Sequence, residues 1–257
     1  MKFITTIMAI LFASTVYAAD LEIVNPGSEE GAFRQVLTTL GEKVDHAFVQ
    51  ANNPVTAYSF IEGSDAPVLT IWSSEWPGDP ELKSPLVDES NLVALMTYET
   101  MMCSRKFSSL QDLKGKTVKI ATWGSEPVAK FLGNLEDATG ATFVVVPFGG
   151  SGSTTKGYLA GDADTVFTIT TRQTAIEEDA KTKCFAFSSN GDLGFRFVDA
   201  IVTVRSDKML TEKLRELIAM LSSEQSWLDK FSGTSTYVGG STKNIAMYKE
   251  AVVNFSK

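Results

Sequence analysis

The sequence contains few of the residues that enzymes most often use for catalysis. Among its 257 residues there are one histidine and two cysteines. A Ser-His-Asp triad would have to use His46, which stands on an amphipathic stretch beside Val44 and Phe48 and is interpreted as a structural residue. The histidine and the cysteines do not have the spacing of a metal site. The sequence therefore predicts a protein that is not an enzyme and that needs no metal and no cofactor.

An excess of positive charge is also absent. Lysine and arginine together number 23 against 31 aspartate and glutamate residues, which gives a net charge of −8. Nucleic acid is therefore not expected as a partner, because binding of the phosphate backbone requires a basic surface. A small anionic ligand is compatible with this balance, since it responds to the local field of its pocket.

Long hydrophobic runs are absent after the first residues. Residues 4–16 are mostly apolar, Lys2 supplies a positive charge before them, and a Val-Tyr-Ala sequence fits a small-residue cleavage site. The run is too short for a membrane span, and no later run reaches that length. We therefore expect residues 1–18 to be a signal peptide, cleaved after Ala18 or Ala19, and the mature chain to be a soluble protein of the periplasm.

The two cysteines, Cys103 and Cys184, both belong to the mature chain. An oxidising compartment makes a disulfide between them feasible, provided that their Cα atoms lie within about 7 Å of each other. Two buried free thiols are the alternative. The sequence leaves both interpretations open.

The centre of the chain has a β-α-β-α-β pattern. Residues 115–122 have the composition of a short strand, and in the helix that follows Val128, Phe131, Leu132 and Leu135 share one face. The pattern continues with a strand at 142–147, a short helix that ends near Gly161 and a strand at 165–168. This order predicts parallel strands, because parallel neighbours in a sheet require a crossover connection such as a helix.

Turns rich in glycine and serine follow the strands. Residues 123–125 and 148–153 each end a strand and open a helix, and Ser125 is interpreted as an N-cap. A third such turn, at residues 25–28, precedes a helix with apolar residues at helical spacing. Ligands of open α/β sheets bind at the carboxyl ends of the strands, and the free N–H groups of helix starts attract anions. The turns therefore predict a cleft that binds a small anion.

The same patterns predict further elements on both sides of the centre. Strands are predicted at 21–25, 47–50, 68–72, 92–103, 184–187 and 197–204. Helices are predicted at 55–62, 170–181, 211–221, near 227–231, and from residue 241 or 242 to residue 255.

Three motifs resemble a known family of binding proteins. They read L-Q-D-L-K-G-K at residues 110–116, V-P-F-G-G-S at 146–151 and L-A-G-D-A-D-T-V-F at 159–167, and a P-G-S turn lies at 26–28. The sequence is similar over nearly the whole mature chain to the periplasmic substrate-binding receptors of tripartite tricarboxylate transporters, the Bug-type receptors. Those receptors carry an L-K-G-K strand, a V-P-Y-x-G-x loop and a G-x-x-D-x-x-F strand. This chain departs from them at Ser28, at Phe148 and at Trp123.

The resemblance implies an α/β, two-lobed Venus-flytrap fold of the type II periplasmic-binding-protein superfamily, with two α/β lobes joined by a hinge. Residues 19–103 with 200–257 would form lobe 1, and residues 104–199 would form lobe 2. The implied function is capture of a small organic anion, a di- or tricarboxylate or a related carboxylate, in the cleft between the lobes. A monomer would then deliver this ligand to the membrane permease subunits of a tripartite transporter.

The predicted site consists of small polar residues and glycines at the strand ends, with one tryptophan. The predicted ligand-binding residues are Asn25, Gly27, Ser28, Ser73, Ser74, Thr122, Trp123, Gly124, Ser125, Gly149, Gly150, Ser151, Thr168 and Thr170. Gly27 and Gly124 are expected to let the backbone approach the ligand. The cations nearest to these two turns, Arg34 and Lys130, lie outside them, so oriented N–H groups are expected to hold the anion.

A purely structural role is the alternative for each of these residues: glycines for the turns, serines for helix caps and Trp123 for packing. Two other functions are also open. One is an exported α/β enzyme of unknown reaction, and the other is a type II binding protein for another small ligand, a phosphonate or an amino acid. The lack of a nucleophile–base pair favours binding over catalysis.

Overall fold

The computed structural model of the protein describes residues 21–76, 87–187 and 196–256, so the predicted signal peptide lies outside the described residues. The strands are β1 Glu22–Asn25, β2 Ala47–Gln50, β3 Val68–Ser73, β4 Leu92–Ser104, β5 Thr117–Trp123, β6 Thr142–Phe148, β7 Thr165–Ile169, β8 Lys183–Ala186, β9 Arg196–Val204 and β10 Thr234–Val238. The helices are α1 Ala32–Gly41, α2 Pro54–Gly63, α3 Glu126–Thr139, α4 Ser151–Ala160, α5 Gln173–Glu177, α6 Lys208–Leu221, α7 Gln225–Lys230 and α8 Thr242–Ser256.

The long strand β4 connects two parts of the sheet. The strand order is β2-β1-β3-β9-β4-β7-β5-β6, and both β8 and β10 also pair with β4. The first part of β4 pairs with β9 as far as Glu99, whereas its end, from Thr100 on, pairs with β7. One strand therefore belongs to a sheet segment built from the two ends of the chain and to a second segment built from its centre.

The central β-α-β-α-β unit has the predicted parallel strands. β5 pairs in parallel with β6, from Thr117 opposite Thr142, and with β7, where Ile120 lies opposite Thr165. In the other segment β1 is parallel to both β2 and β3. The carboxyl ends of β5 and β6 therefore lie side by side, as do those of β1 and β3.

The helices bury the apolar faces that their spacing predicted. Val128, Phe131, Leu132 and Leu135 of α3 are all buried. They belong to one large hydrophobic core that includes residues from both sheet segments. Because complete burial of such a side chain stabilises a fold by roughly 1.5–3 kcal/mol, this face alone fixes α3 against the sheet.

Three elements differ from the sequence prediction. The helix predicted at 170–181 is a 3₁₀ turn at Thr170–Arg172 followed by the single-turn α5. The helix stops at Glu177, where the chain leaves it to reach β8, the strand that pairs with β4. Helix α6 begins earlier than predicted, since the Asp207 side chain accepts from Leu210 N–H and caps it. Strand β10 was not predicted, and it is held by antiparallel pairing with β4.

The cysteines form a disulfide, so the free-thiol alternative is wrong. Cys103 of β4 and Cys184 of β8 are directly opposite partners in the sheet. Their Cα atoms are 4.0 Å apart and their sulfurs are bonded. The bond closes a chain segment of 81 residues between the two strands.

Candidate functional site

A cleft of about 440 Å³ lies where the turns after four strands meet. The turns after β1 and β3 form one side of it, and the turns after β5 and β6 form the other. The lining residues are Pro26, Gly27, Ser28, Gly31, Ala32, Phe33, Asn52, Asn53, Pro54, Ser73, Glu75, Trp76, Tyr98, Trp123, Gly124, Ser125, Phe148, Gly149, Gly150, Ser151, Ile169, Phe197 and Asp199.

Most of the predicted site residues line this cleft. They are Gly27, Ser28, Ser73, Trp123, Gly124, Ser125, Gly149, Gly150 and Ser151. The carboxyl ends of parallel strands lie at one edge of a sheet, which explains why turns distant in sequence meet here. Their contact with a ligand stays a prediction.

Two predicted residues at the strand ends use their side chains to hold the neighbouring backbone, and they are not among the cleft-lining residues. The Asn25 side chain donates to Gly27 O at 3.1 Å and accepts from Gly27 N at the same distance, which shapes the turn after β1. The Ser74 hydroxyl accepts from Val198 N at 3.3 Å. These residues support the cleft rather than face it.

The three predicted threonines outside the lining also point elsewhere. Thr122 donates to Trp123 O at 3.2 Å, and Thr170 donates to Gly233 O at 3.0 Å. Thr168 is buried on β7. Alternation of side chains along a strand places these positions on the other face of the sheet or inside the core, which the turn pattern alone does not reveal.

Ser125 occupies the predicted N-cap position of α3, but it does not cap the helix with its side chain. Its hydroxyl instead donates to Glu75 Oε2 at 2.9 Å, and Trp123 Nε1 donates to the same oxygen at 3.4 Å. The turn after β5 is thereby joined to the turn after β3 across the cleft.

Gly124 does not need a left-handed backbone. It is not among the described glycines with a positive φ. A Cβ atom at this position would meet only Pro147 Cβ, at an ordinary 3.7 Å. A side chain at this position would therefore not strain the backbone, and the role of Gly124 in close approach to a ligand stays a prediction.

The loop before α1 packs directly on the start of α4. A Cβ atom on Gly152 would lie 2.6 Å from Glu30 O, which is closer than any real contact. The Glu30 side chain also forms an ion pair with Lys156, and its backbone oxygen accepts from Arg172. Since Glu30 belongs to one sheet segment and the other three residues to the second, these contacts join the two segments beside the cleft.

Two acidic residues in the cleft wall were missed by the sequence prediction. Asp199 is 3% exposed, and its Oδ1 atom has no hydrogen-bond partner among the described residues. Burial raises the pKa of Asp199 well above its usual value, a hydrogen bond from Ser73 lowers it, and the nearby charge of Glu75 raises it further. A signal for this residue was present in the sequence, because Asp199 is a charged residue between the apolar residues Phe197, Val198 and Ala200 to Val202 of β9.

Glu75 is the second missed residue. Removal from water raises the pKa of its carboxyl group, while the hydrogen bonds from Ser125 and Trp123 lower it in part. Glu75 follows β3 by two residues, directly after the predicted site residues Ser73 and Ser74. Its position against the turn after β5 depends on the tertiary fold, and no local pattern indicated it.

The described lining contains no lysine, arginine or histidine. Arg34 instead lies 3.9 Å above the Phe48 ring and donates to Gln50 Oε1, and Lys130 is exposed on α3. His46 hydrogen-bonds to Val44 O at 3.0 Å, outside the cleft. The polar and aromatic side chains of the lining residues therefore offer carboxyl, hydroxyl, carboxamide, indole and phenyl groups.

No helix within residues 21–76, 87–187 and 196–256 is long and apolar enough to span a membrane. Within the same ranges, no three histidine, cysteine, aspartate or glutamate residues are grouped as metal ligands.

Solved structures with the same fold include periplasmic proteins. A protein described as a periplasmic transporter is 14% identical, with a TM-score of 0.72 over 91% of this chain and 93% of its own. MatC from Rhodopseudomonas palustris with bound malate is 11% identical, with a TM-score of 0.67 over 92% and 97%. The periplasmic binding protein BugD is 13% identical, with a TM-score of 0.65 over 92% and 95%. The predicted two-lobed α/β fold and its resemblance to the Bug-type receptors are confirmed.

The sequence itself matches one family model. No curated protein sequence matches the chain. The model described as NMT1/THI5 like matches residues 90–227, which is more than half of the chain. The matched range includes β4, the whole central unit and β9, and thus 11 of the 23 residues that line the cleft. The protein belongs to the NMT1/THI5-like family.

Proposed function

We propose that this protein is a periplasmic solute-binding receptor that captures a small organic acid in the cleft and delivers it to membrane permease subunits. The observation that carries the proposal is the convergence of Gly/Ser turns from both sheet segments on one cavity of about 440 Å³. That volume is in the range of small-molecule pockets. The lack of basic side chains in the described lining makes backbone N–H groups the natural partners of a carboxylate.

The proposed contacts use the turns on both sides of the cleft. The turn 26–28 would bind from one side, and the turns 123–125 and 149–151 from the other. Residues 149–151 lead into α4, whose first N–H groups have no partner within the helix and carry the positive end of its dipole. Closure would bring both sides onto the ligand, as in other two-lobed binding proteins.

The lobe limits belong to the same proposal. Residues 19–103 with 200–257 would form one lobe, and 104–199 the other. The change of β4 pairing between Glu99 and Thr100 supports a passage between lobes in this strand, a few residues earlier than the sequence indicated. A signal peptide at residues 1–18 would direct the protein to the periplasm, where a monomer would serve a tripartite tricarboxylate-type transporter.

The acidic residues of the cleft limit the number of ionised carboxylate groups that a ligand can carry. Malate is bound by the structurally similar MatC, which supports a small carboxylate here. A di- or tricarboxylate with all groups ionised would, however, bring negative charge close to Glu75 and Asp199. A ligand with one carboxylate end therefore fits this cleft better than citrate or another tricarboxylate does.

A thermal-shift screen tests the receptor function. A ligand that binds only the native state raises the melting temperature, by an amount that grows with its concentration above Kd. We expect at least one small organic acid in a library of mono-, di- and tricarboxylates, phosphonates and amino acids to raise it by several degrees. Binding is then measured by calorimetry, with turnover of the bound compound checked by NMR. Lack of stabilisation by every compound, or chemical conversion of a bound one, would contradict the proposal.

A further inference from the structure

The two carboxyl groups of the cleft come from neighbouring strands. Asp199 of β9 is the sheet partner of Ser73, the last residue of β3, and Glu75 follows two residues later. The two carboxyl groups are close enough for the charge of Glu75 to act on Asp199. Both residues line the cavity.

One oxygen of the Asp199 carboxyl group lacks a hydrogen-bond donor in the described part of the chain, although Ser73 donates to the group. Asp199 is 3% exposed, and its Oδ1 atom has no hydrogen-bond partner among the described residues. A buried polar atom of this kind is costly unless a partner satisfies it. Natural proteins contain few such atoms, and at a binding site the missing partner is supplied by what binds.

The surroundings of the acidic pair suit a cation. The described lining contains no basic side chain that could neutralise it. Part of the wall is aromatic: Phe33 packs edge-on against Trp76 at 5.5 Å, and Trp123 lies 5.5 Å from Phe197. Aromatic faces next to carboxylates attract ammonium groups through their quadrupole as well as their area.

We propose, building on the receptor function above, that the ligand carries an amino group which hydrogen-bonds to Asp199 and Glu75 while its carboxylate end meets the backbone N–H groups of the turns. The ligand class is then a small amino acid and not a di- or tricarboxylate. Asp199 acts as a specificity-determining residue, because its Oδ1 atom can accept a hydrogen bond only from a ligand that carries a hydrogen-bond donor. The aromatic wall excludes water from this contact and thereby strengthens it.

One alternative makes an opposite prediction. If both carboxyl groups keep their protons, they donate hydrogen bonds to an oxygen of the ligand, and a hydroxy acid or dicarboxylate is favoured. In that case Asp199→Asn leaves a donor in place and preserves binding. If Asp199 accepts from an ammonium group, the same substitution removes the negative charge and binding is lost. One isosteric variant therefore separates the two arrangements.

The experiment compares matched ligands on matched variants of the full mature chain. The ligands are the standard amino acids with the hydroxy acids of the same skeleton, such as alanine with lactate, aspartate with malate and phenylalanine with phenyllactate. Two further pairs are 3-aminopropanoate with succinate and 4-aminobutanoate with glutarate.

The protein variants are Asp199→Asn, Glu75→Gln and, as control, Asp137→Asn, which makes the same charge change at an exposed position of α3. Calorimetry gives the affinity, and circular dichroism checks the fold of each variant.

We expect at least one amino acid to bind at least tenfold more tightly than its partner without the amino group. Asp199→Asn should weaken that affinity at least tenfold, Glu75→Gln should weaken it less, and Asp137→Asn should leave it within twofold. Binding of hydroxy acids or dicarboxylates alone would overturn the amino-acid inference and leave the receptor function standing. Amino-acid affinity that both carboxyl variants retain within twofold would overturn it as well. No binding by any compound would overturn both proposals together.

Discussion

At the scale of single residues, Asp199 makes the stability of the unliganded protein depend on pH. Its pKa in the folded state is raised, mainly by burial, whereas the unfolded chain has a pKa of about 3.9. Above that value the unfolded state has released a proton that the folded state retains. The free energy of unfolding therefore falls as pH rises from about 4 toward the folded-state pKa. The other titratable groups that face Asp199 are Glu75, Tyr98 and Tyr248.

The first prediction isolates this effect with Asp199→Asn. The asparagine has the same shape and cannot ionise, so the variant should lose less stability than the wild type between pH 4 and pH 8. We expect the melting temperature of the variant to exceed that of the wild type at pH 8, and the two melting temperatures to converge near pH 4. Scanning fluorimetry without ligand measures both curves. Parallel curves would show that Asp199 titrates normally in the folded protein.

At the scale of elements, the sequence pattern predicted those helices and strands that depend on interactions between residues close in sequence. The helical spacing of Val128, Phe131 and Leu132 predicted α3, and the order of strands and helices predicted the parallel central sheet. Strand β10 was missed because its stability comes from pairing with β4, which is distant in sequence. The helix predicted at 170–181 is shorter than expected because the chain leaves it after Glu177 to form β8, which pairs with the distant β4. Tertiary contacts overrode the local propensity in both cases.

The second prediction concerns the contact between the loop before α1 and the start of α4. In Gly152→Ala the added methyl group would lie 2.6 Å from Glu30 O, and backbone atoms there cannot move aside cheaply. The two sheet segments should therefore close less well over the cleft. We expect ligand affinity to fall at least about fivefold, which corresponds to about 1 kcal/mol. Calorimetry with a ligand found in the screen measures the change.

Gly133→Ala is the matched control for this substitution. Gly133 lies in α3 with nothing within 4 Å of an added Cβ atom, and alanine favours a helix over glycine by roughly 0.8–1.0 kcal/mol. The control should raise the melting temperature slightly and leave affinity unchanged. Equal affinities for the two variants would mean that the contact of Gly152 with Glu30 has no part in closure.

At the scale of the whole molecule, the sequence indicated where the cleft lies but not its charge. The turns after β1, β5 and β6 were predicted because each follows a strand and precedes a helix. The acidic pair was missed because Ser73 and Asp199 become neighbours only through the pairing of β3 with β9, a long-range register that one sequence does not reveal. The chemistry that selects a ligand was therefore less predictable than the scaffold that presents it.

The last prediction concerns the disulfide, which joins β4 to β8 within the central segment of the sheet. Cys103 and Cys184 are not among the residues that line the cleft. Replacing both by alanine opens a closed chain segment of 81 residues, and chain entropy alone then lowers the free energy of unfolding by about 4.5 kcal/mol. We expect a melting temperature lower by at least about 8 °C, since 1 kcal/mol shifts the melting temperature of a domain of this size by roughly 2–4 °C.

Ligand affinity of the double variant should change less than about threefold at a temperature where the variant is folded. Wild-type protein treated with reductant should lose the same stability as the double variant, because both lack the same covalent link. A loss of affinity without a loss of stability would show that the disulfide positions the turns of the cleft rather than restricting the unfolded chain.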